Sequence, residues 1–116
     1  MTPSNAGGMS NGLARVRVRF VAELRVRRAR LIELRSQLLN LPLCAEALKE
    51  IGQISHKIAG TAAILGFPGL GASASAIDDA IDQIKVWPTA PDPALLDRID
   101  RMISDMELAP EKGDCT

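Results

Sequence analysis

The stretch CAEALKEIGQISHKIAGTAAIL, residues 44–65, decides how the fold is interpreted. Its apolar and small residues recur in alternating steps of four and three, a spacing typical of one continuous buried helix face. The residues of this stripe are Cys44, Leu48, Ile51, Ser55, Ile58, Ala62 and Leu65. Gly66 can end a helix in the left-handed conformation, and Pro68 can open the next one. The pattern therefore predicts a helix over residues 44–65.

A first helix is predicted ahead of this stretch, from about Leu13 to Leu39. Residues 15–20 alternate like a strand, but the apolar residues that follow have helical spacing. These residues are Phe20, Leu24, Leu31, Leu34 and Leu38. Arg27 or Arg28 interrupts the stripe, so one of the two side chains must extend its charged end past the edge of the core.

Two more helices are predicted after Gly66. The third carries an apolar stripe from Leu70 to Ile84 and ends near Trp87. In the fourth, Asp92 can cap the N-terminus, Pro93 can occupy the first turn, and Pro110 marks the limit. Its core face would consist of Leu95, Leu96, Ile99, Met102, Ile103 and Met106. Four amphipathic helices with short connections predict an all-α, antiparallel up-down four-helix bundle.

Length and composition agree with a single helical domain. Hydrophobic residues make up 47% of the 116 residues but aromatic residues only 3%, so the core must be aliphatic, which suits helices better than a β-sandwich. A chain of this length has no room for a separate cofactor lobe. Segments 1–12 and 109–116 are polar with almost nothing to bury and are predicted to be flexible tails around a domain of residues 13–108.

The charges of the chain separate into two halves. Up to Leu43 there are eight arginines against two glutamates, or +6, whereas from Cys44 onward six basic residues face twelve acidic ones, or −6. Halves that cancel favour intramolecular packing or a local basic patch over a general nucleic-acid-binding surface. We therefore expect no nucleic-acid partner.

Neither cysteine indicates a structural site. Cys44 and Cys115 are far apart, with no second cysteine or histidine at metal-ligand spacing, so neither a disulfide framework nor a zinc site is predicted. Residues 1–12 lack the apolar centre of a signal peptide, and no segment is continuously apolar over about 20 residues. These features predict a cytoplasmic protein without a membrane partner.

The predicted second helix also carries the candidate site. His56 lies about 200° around the helix from Ile58 and about 140° from Ile51, so it should face solvent. Gly52 and Gly60 lie inside the same predicted helix, where two glycines together cost roughly 2 kcal/mol of helix stability relative to alanine. A sequence that accepts this cost beside an exposed histidine indicates that small side chains are needed there for a partner's approach. Gly52 could instead mark a kink or a close helix contact. The residues expected around His56 as a docking surface are Lys49, Gly52, Gln53, Ala59, Gly60 and Ala63.

The chemistry available to His56 is nucleophilic transfer. An exposed imidazole with an ordinary pKa of about 6.5 is mostly uncharged near neutral pH, and its Nε2 is then a competent nucleophile. Lys57 is the nearest cation able to balance the charge of a phosphoryl group. There is no glycine-rich phosphate loop, so we expect no kinase activity and no cofactor. A donor must supply the phosphoryl group, together with its own Mg²⁺.

The segment HKIAGTAAILGFPGL, residues 56–70, resembles the signature of histidine phosphotransfer domains. In that family histidine is followed by an apolar residue at +2, glycine at +4, a small residue at +5, glycine near +10 and leucine near +14. The likeness in helix order extends from about Leu13 to Leu108. It implies His56 as phosphoryl acceptor, Gly60 as the residue that leaves clearance and Lys57 as electrostatic helper. Many members have lysine at +3, where this chain has Ala59.

The resemblance implies a phosphocarrier rather than an enzyme. Such a carrier would accept a phosphoryl group from a phospho-aspartate receiver domain of a bacterial-type response regulator and pass it to another receiver. The resemblance also allows a hybrid histidine kinase as a further partner. The arginine-rich first helix would guide an acidic receiver pocket toward the bundle. The alternative is a helical docking or inhibitory module that binds a kinase or receiver without transfer. The intact imidazole favours the first, because docking does not require histidine.

Overall fold

A computed structural model describes residues 2–39, 44–85 and 92–114 of the chain. Four helices form: α1 (Thr2–Leu38), α2 (Cys44–Ala62), α3 (Pro68–Asp82) and α4 (Pro93–Asp114), with no strand in the described ranges. Each helix packs against its neighbours in the chain, and α4 also packs against α1. The helices therefore close into a four-helix bundle, and the predicted all-α fold is confirmed.

The core consists of the apolar stripes of the four helices. All seven residues of the stripe predicted from Cys44 to Leu65 are buried. Ser55, the polar member, donates a hydrogen bond from its hydroxyl to Sδ of Met102, 3.8 Å away on α4. Because this face of α2 is committed to the core, the opposite face must lie at the surface.

The corner between α2 and α3 begins earlier than predicted. α2 ends at Ala62 rather than at Leu65, although Leu65 is still buried in the turn that follows. Gly66 has a φ of 92°, and the backbone N–H of Phe67 donates to the carbonyl of Ala62 over 2.8 Å. A left-handed residue closes a helix only a few residues after the last regular turn, so Gly66 sets this end. As predicted, Pro68 opens α3.

The C-terminal end of α3 differs from the prediction, whereas the N-terminal end of α4 agrees with it. α3 ends at Asp82, and the N–H of Gln83 caps it by donating to the carbonyl of Asp79; Trp87, where the end was predicted, lies outside the described residues. The predicted cap of α4 is confirmed, because Oδ1 of Asp92 accepts a hydrogen bond from the N–H of Ala94 over 3.1 Å.

The terminal helices extend past their predicted limits. α1 begins at Thr2 instead of about Leu13, and α4 continues through Pro110 to Asp114. Helical structure therefore extends into both of the segments predicted to be tails, 1–12 and 109–116. Extending an existing helix avoids the cost of nucleation, an effect that a prediction based only on burial leaves out.

Ion pairs connect the basic first helix to the acidic remainder of the chain. Arg28 shows how an arginine passes the edge of the core: its side chain is only about one-third exposed and Nε donates to the carbonyl of Ile103. Among the described residues, the pairs between α1 and the rest of the chain are Arg28–Glu107, Arg30–Glu50 and Arg35–Asp100. The opposite charges of the two halves thus serve intramolecular packing. Within the described residues, no helix has the length and apolar character needed to cross a membrane.

Candidate functional site

His56 lies in the third quarter of α2, on the face opposite the buried stripe. Its side chain is 77% exposed, whereas its neighbours Ser55 and Ile58 are fully buried. The outward orientation predicted from helical spacing is therefore confirmed. The backbone that carries this imidazole is held in place by the packed helix, while the ring itself is accessible to a partner.

A carboxylate of α3 contacts this ring. Nδ1 of His56 lies 2.9 Å from Oδ2 of Asp78, whose side chain is 30% exposed. A carboxylate oxygen accepts hydrogen bonds, so Nδ1 must carry the hydrogen and donate it. In the neutral ring the lone pair is then on Nε2. The contact thus selects the tautomer in which Nε2 is free to act as a base or nucleophile.

Asp78 also changes the acid–base behaviour of the site. The hydrogen bond to Asp78 raises the pKa of His56 above its ordinary value, the charge of Asp78 adds to the effect, and Asp82 contributes a smaller part. The ordinary pKa expected from the sequence is thus shifted upward, in the direction that favours the protonated ring. The signal in the sequence was the set of aspartates that lie off the apolar stripe of α3: Asp78, Asp79 and Asp82.

The ring lies at a groove between α2 and α3. The α2 side of this groove is lined by Lys49, Gly52, Gln53 and Lys57, so the structure brings four of the predicted site residues together with His56. The α3 side carries Asp78, Ile81 and Asp82. His56 therefore lies between a basic edge and an acidic edge. Lys57 also lines a second groove, between α1 and α2.

The two glycines beside His56 differ in environment. Gly52 is buried, and a Cβ built there would lie 3.1 Å from Cγ2 of Ile81. Its interpretation as an exposed docking residue was wrong, because α3 packs directly on it; the alternative of a close helix contact is correct. Gly60 is exposed, and a Cβ placed there would meet no heavy atom within 4 Å beyond the backbone of its own helix. The space expected beside Gly60 is therefore present.

The remaining predicted docking residues are spread around the ring and do not all face outward. Gln53 is exposed, and Lys49 is exposed while pairing with Glu46 over 3.5 Å. Ala59 is only partly exposed because it packs against the core. Ala63 is exposed and lies in the turn after α2 instead of within the helix. The outward surface near His56 is thus made mainly of Gln53, Gly60 and the two lysines.

Other reactive groups do not form a second site in the described part of the chain. No three carboxylate, imidazole or thiol groups there lie close enough together to hold a metal ion. Cys44 is buried at the start of α2, and burial raises the pKa of its thiol, which keeps the group in its less reactive form. His56 is the exposed nitrogen nucleophile of this surface that the described residues offer to a partner.

Comparison with protein-family models matches residues 15–109 to one family, described as the Hpt domain. The chain belongs to the Hpt domain family. Neither the curated proteins nor the solved structures gave a match. Hpt domains are phosphocarriers of two-component phosphorelays, in which they interact with receiver domains and kinases. The family predicted from the segment at residues 56–70 is therefore confirmed, and this Hpt domain has a role in phosphotransfer.

Proposed function

We propose that this Hpt domain accepts a phosphoryl group on Nε2 of His56 from the phospho-aspartate of one receiver domain and passes it to the aspartate of another. The observation that carries the proposal is the exposed imidazole whose Nδ1 is bonded to Asp78. An exposed ring with Nε2 as the basic nitrogen is what attack on phosphorus requires. A docking or inhibitory module would need neither the ring nor its tautomer.

The chemical step can be written from the residues present. The Nε2 lone pair of His56 attacks phosphorus, the bond between phosphorus and the aspartyl oxygen breaks, and its electron pair returns to the receiver's carboxylate. The proton stays on Nδ1, so positive charge develops on the ring, where the carboxylate of Asp78 stabilises it. Lys57 is exposed one residue further along α2 and stabilises the phosphoryl oxygens.

The partner supplies the rest of the reaction. A Mg²⁺ ion is expected on the receiver, and this chain needs no cofactor of its own. The open space at Gly60 lets a receiver's backbone come close to the ring, with Gln53, Lys49, Ala59 and Ala63 around the contact. We place the reaction in the cytoplasm and include the receiver of a hybrid histidine kinase among the donors.

Label transfer tests the proposal. The wild-type chain is mixed with a receiver phosphorylated with ³²P, and we expect label that is stable in alkali and lost in acid, as phosphohistidine is. The chain has a single histidine, so any phosphohistidine in it can only be at His56. In the variant His56→Gln the label should be absent while the melting temperature is unchanged, because the side chain lies outside the core.

Two outcomes would contradict this function. Acid-labile label on His56→Gln would place the acceptor elsewhere. A wild-type chain that binds the phosphorylated receiver but never becomes labelled would favour the docking or inhibitory module.

A further inference from the structure

We propose that Asp78 holds the proton on Nδ1 of His56 also after phosphorylation, and that it thereby makes the phosphohistidine a fast phosphoryl donor. The inference rests on the proposed function and extends it to the outgoing step. Its basis is the 2.9 Å contact between a ring that is 77% exposed and a carboxylate that is 30% exposed. The incoming phosphoryl group is attached to Nε2, so the contact at Nδ1 persists.

The backbone of Asp78 is well anchored. It follows the buried Ile77 and lies one helical turn before the buried Ile81, which packs against Gly52 of α2. The close approach of the two helices at Gly52 therefore sets the distance between Asp78 and His56, which lies one turn further along α2. Asp78 thus acts as a positioning residue that does not touch the phosphoryl group.

The position of the proton decides how the ring leaves. In onward transfer a receiver carboxylate oxygen bonds to phosphorus, the bond between Nε2 and phosphorus breaks, and its electron pair goes to Nε2. With a proton on Nδ1 the leaving group is neutral imidazole. Without that proton it would be an imidazolate anion, which is a far stronger base and a poorer leaving group. Onward transfer therefore requires the protonation state that the Asp78 carboxylate favours.

The other charges at the groove act in both directions. On α3, Asp78 and Asp82 favour the ring proton, whereas Lys49 and Lys57 on α2 carry the opposite charge and attract the phosphoryl oxygens. In the described part of the chain, α1 and α4 contribute no side chain to the lining of this groove. The direct hydrogen bond to Asp78 makes it the dominant influence on Nδ1.

The experiment uses the whole chain phosphorylated with phosphoramidate, a small donor that requires no receiver. Loss of phosphohistidine is followed by ³¹P NMR across pH, and the ring nitrogens are titrated by ¹⁵N NMR, where the single histidine gives unambiguous signals. The test variants are Asp78→Asn and Asp78→Ala. The matched control is Asp79→Asn, which removes the same charge from an exposed neighbour that does not line the groove.

Phosphohistidine is lost rapidly where Nδ1 is protonated. We expect this rapid loss to persist to higher pH in the wild type than in the Asp78 variants. At pH values above both midpoints, each pH unit by which the two midpoints differ should lengthen the life of the variant phosphohistidine about tenfold. Onward transfer to a receiver should slow in parallel, and Asp79→Asn should behave as the wild type does.

Identical pH profiles for the wild type and both Asp78 variants would overturn the inference and leave the proposed function standing. So would a shift of equal size in Asp79→Asn, which would show a general effect of charge. If His56 took no phosphoryl group from phosphoramidate, or if the phosphorylated chain passed none to any receiver tested, the proposed function would fail, and this inference with it.

Discussion

Nδ1 of His56 donates a hydrogen bond to Oδ2 of Asp78 over 2.9 Å, across 22 positions of the chain. The contact joins an exposed imidazole on α2 to a less exposed carboxylate on α3. It fixes which ring nitrogen carries the hydrogen, and it raises the pKa of the ring. These two effects oppose each other in the accepting step, because the correct tautomer is favoured while the protonated, unreactive form is favoured as well.

The pH dependence of phosphoryl acceptance follows from this opposition. Only the neutral ring has a lone pair on Nε2, so acceptance should slow as pH falls through the raised pKa of His56. In Asp78→Asn this fall should occur at lower pH, because the carboxylate is gone. Initial rates of labelling by a phosphorylated receiver between about pH 5.5 and 8.5 measure both midpoints. Midpoints that coincide would mean that Asp78 does not control the ring in solution.

The two glycines beside His56 should respond oppositely to a larger side chain. Gly60→Leu should raise the free energy of unfolding by up to about 1 kcal/mol, because glycine is a poor helix former and the position is open. It should also slow transfer by filling the space a receiver needs. Gly52→Leu should lower the free energy of unfolding by about 1–3 kcal/mol, because the new side chain meets Ile81.

Chemical denaturation and label transfer, measured on both glycine variants, check these expectations. A Gly60→Leu protein that is less stable than wild type yet transfers at the normal rate would show that Gly60 is a packing residue.

Lys57 should assist the reaction without being essential. Lys57→Ala removes a charge that stabilises the phosphoryl oxygens and should slow labelling about tenfold. The rate should fall less than it does when a buried hydrogen-bond donor is removed, because water screens this exposed site. Lys57→Arg should keep most of the rate. Arg101→Ala, which removes one exposed positive charge from α4, is the control. Equal slowing in Lys57→Ala and Arg101→Ala would assign the effect to overall charge.

Salt should slow association with an acidic receiver only modestly. Three arginines of α1 already pair with carboxylates of α2 and α4, which reduces the field that the eight arginines would otherwise create. Replacing the exposed Arg15, Arg19 and Arg25 with glutamine should flatten the remaining dependence of the on-rate on ionic strength. Rapid-mixing measurements of the on-rate check this. A steep dependence that survives the triple substitution would place the steering charge elsewhere, with the lysines of α2 as the first candidates.

The sequence alone determined the bundle and the outward orientation of His56. The stripe from Cys44 to Leu65 repeats with helical spacing. Because each residue of a helix is rotated from the previous one by a fixed angle of about 100°, the burial of Ile51 and Ile58 required His56 to point outward. Gly66 and Pro68 marked the corner between α2 and α3 because only particular residues suit the backbone there. These are local rules, and each operates within a few residues of the chain.

Only the tertiary structure decided which residues meet His56. Asp78 and Gly52 are placed by the packing of α3 on α2, and the rotation of one helix relative to another depends on side-chain fit along the whole contact. That fit buried Gly52 against Ile81 and brought Asp78 to Nδ1, although helical spacing on α2 alone put Gly52 on the same open face as Gly60. The pKa of His56 depends on that distance, because hydrogen bonds and charge interactions act through space and not along the chain.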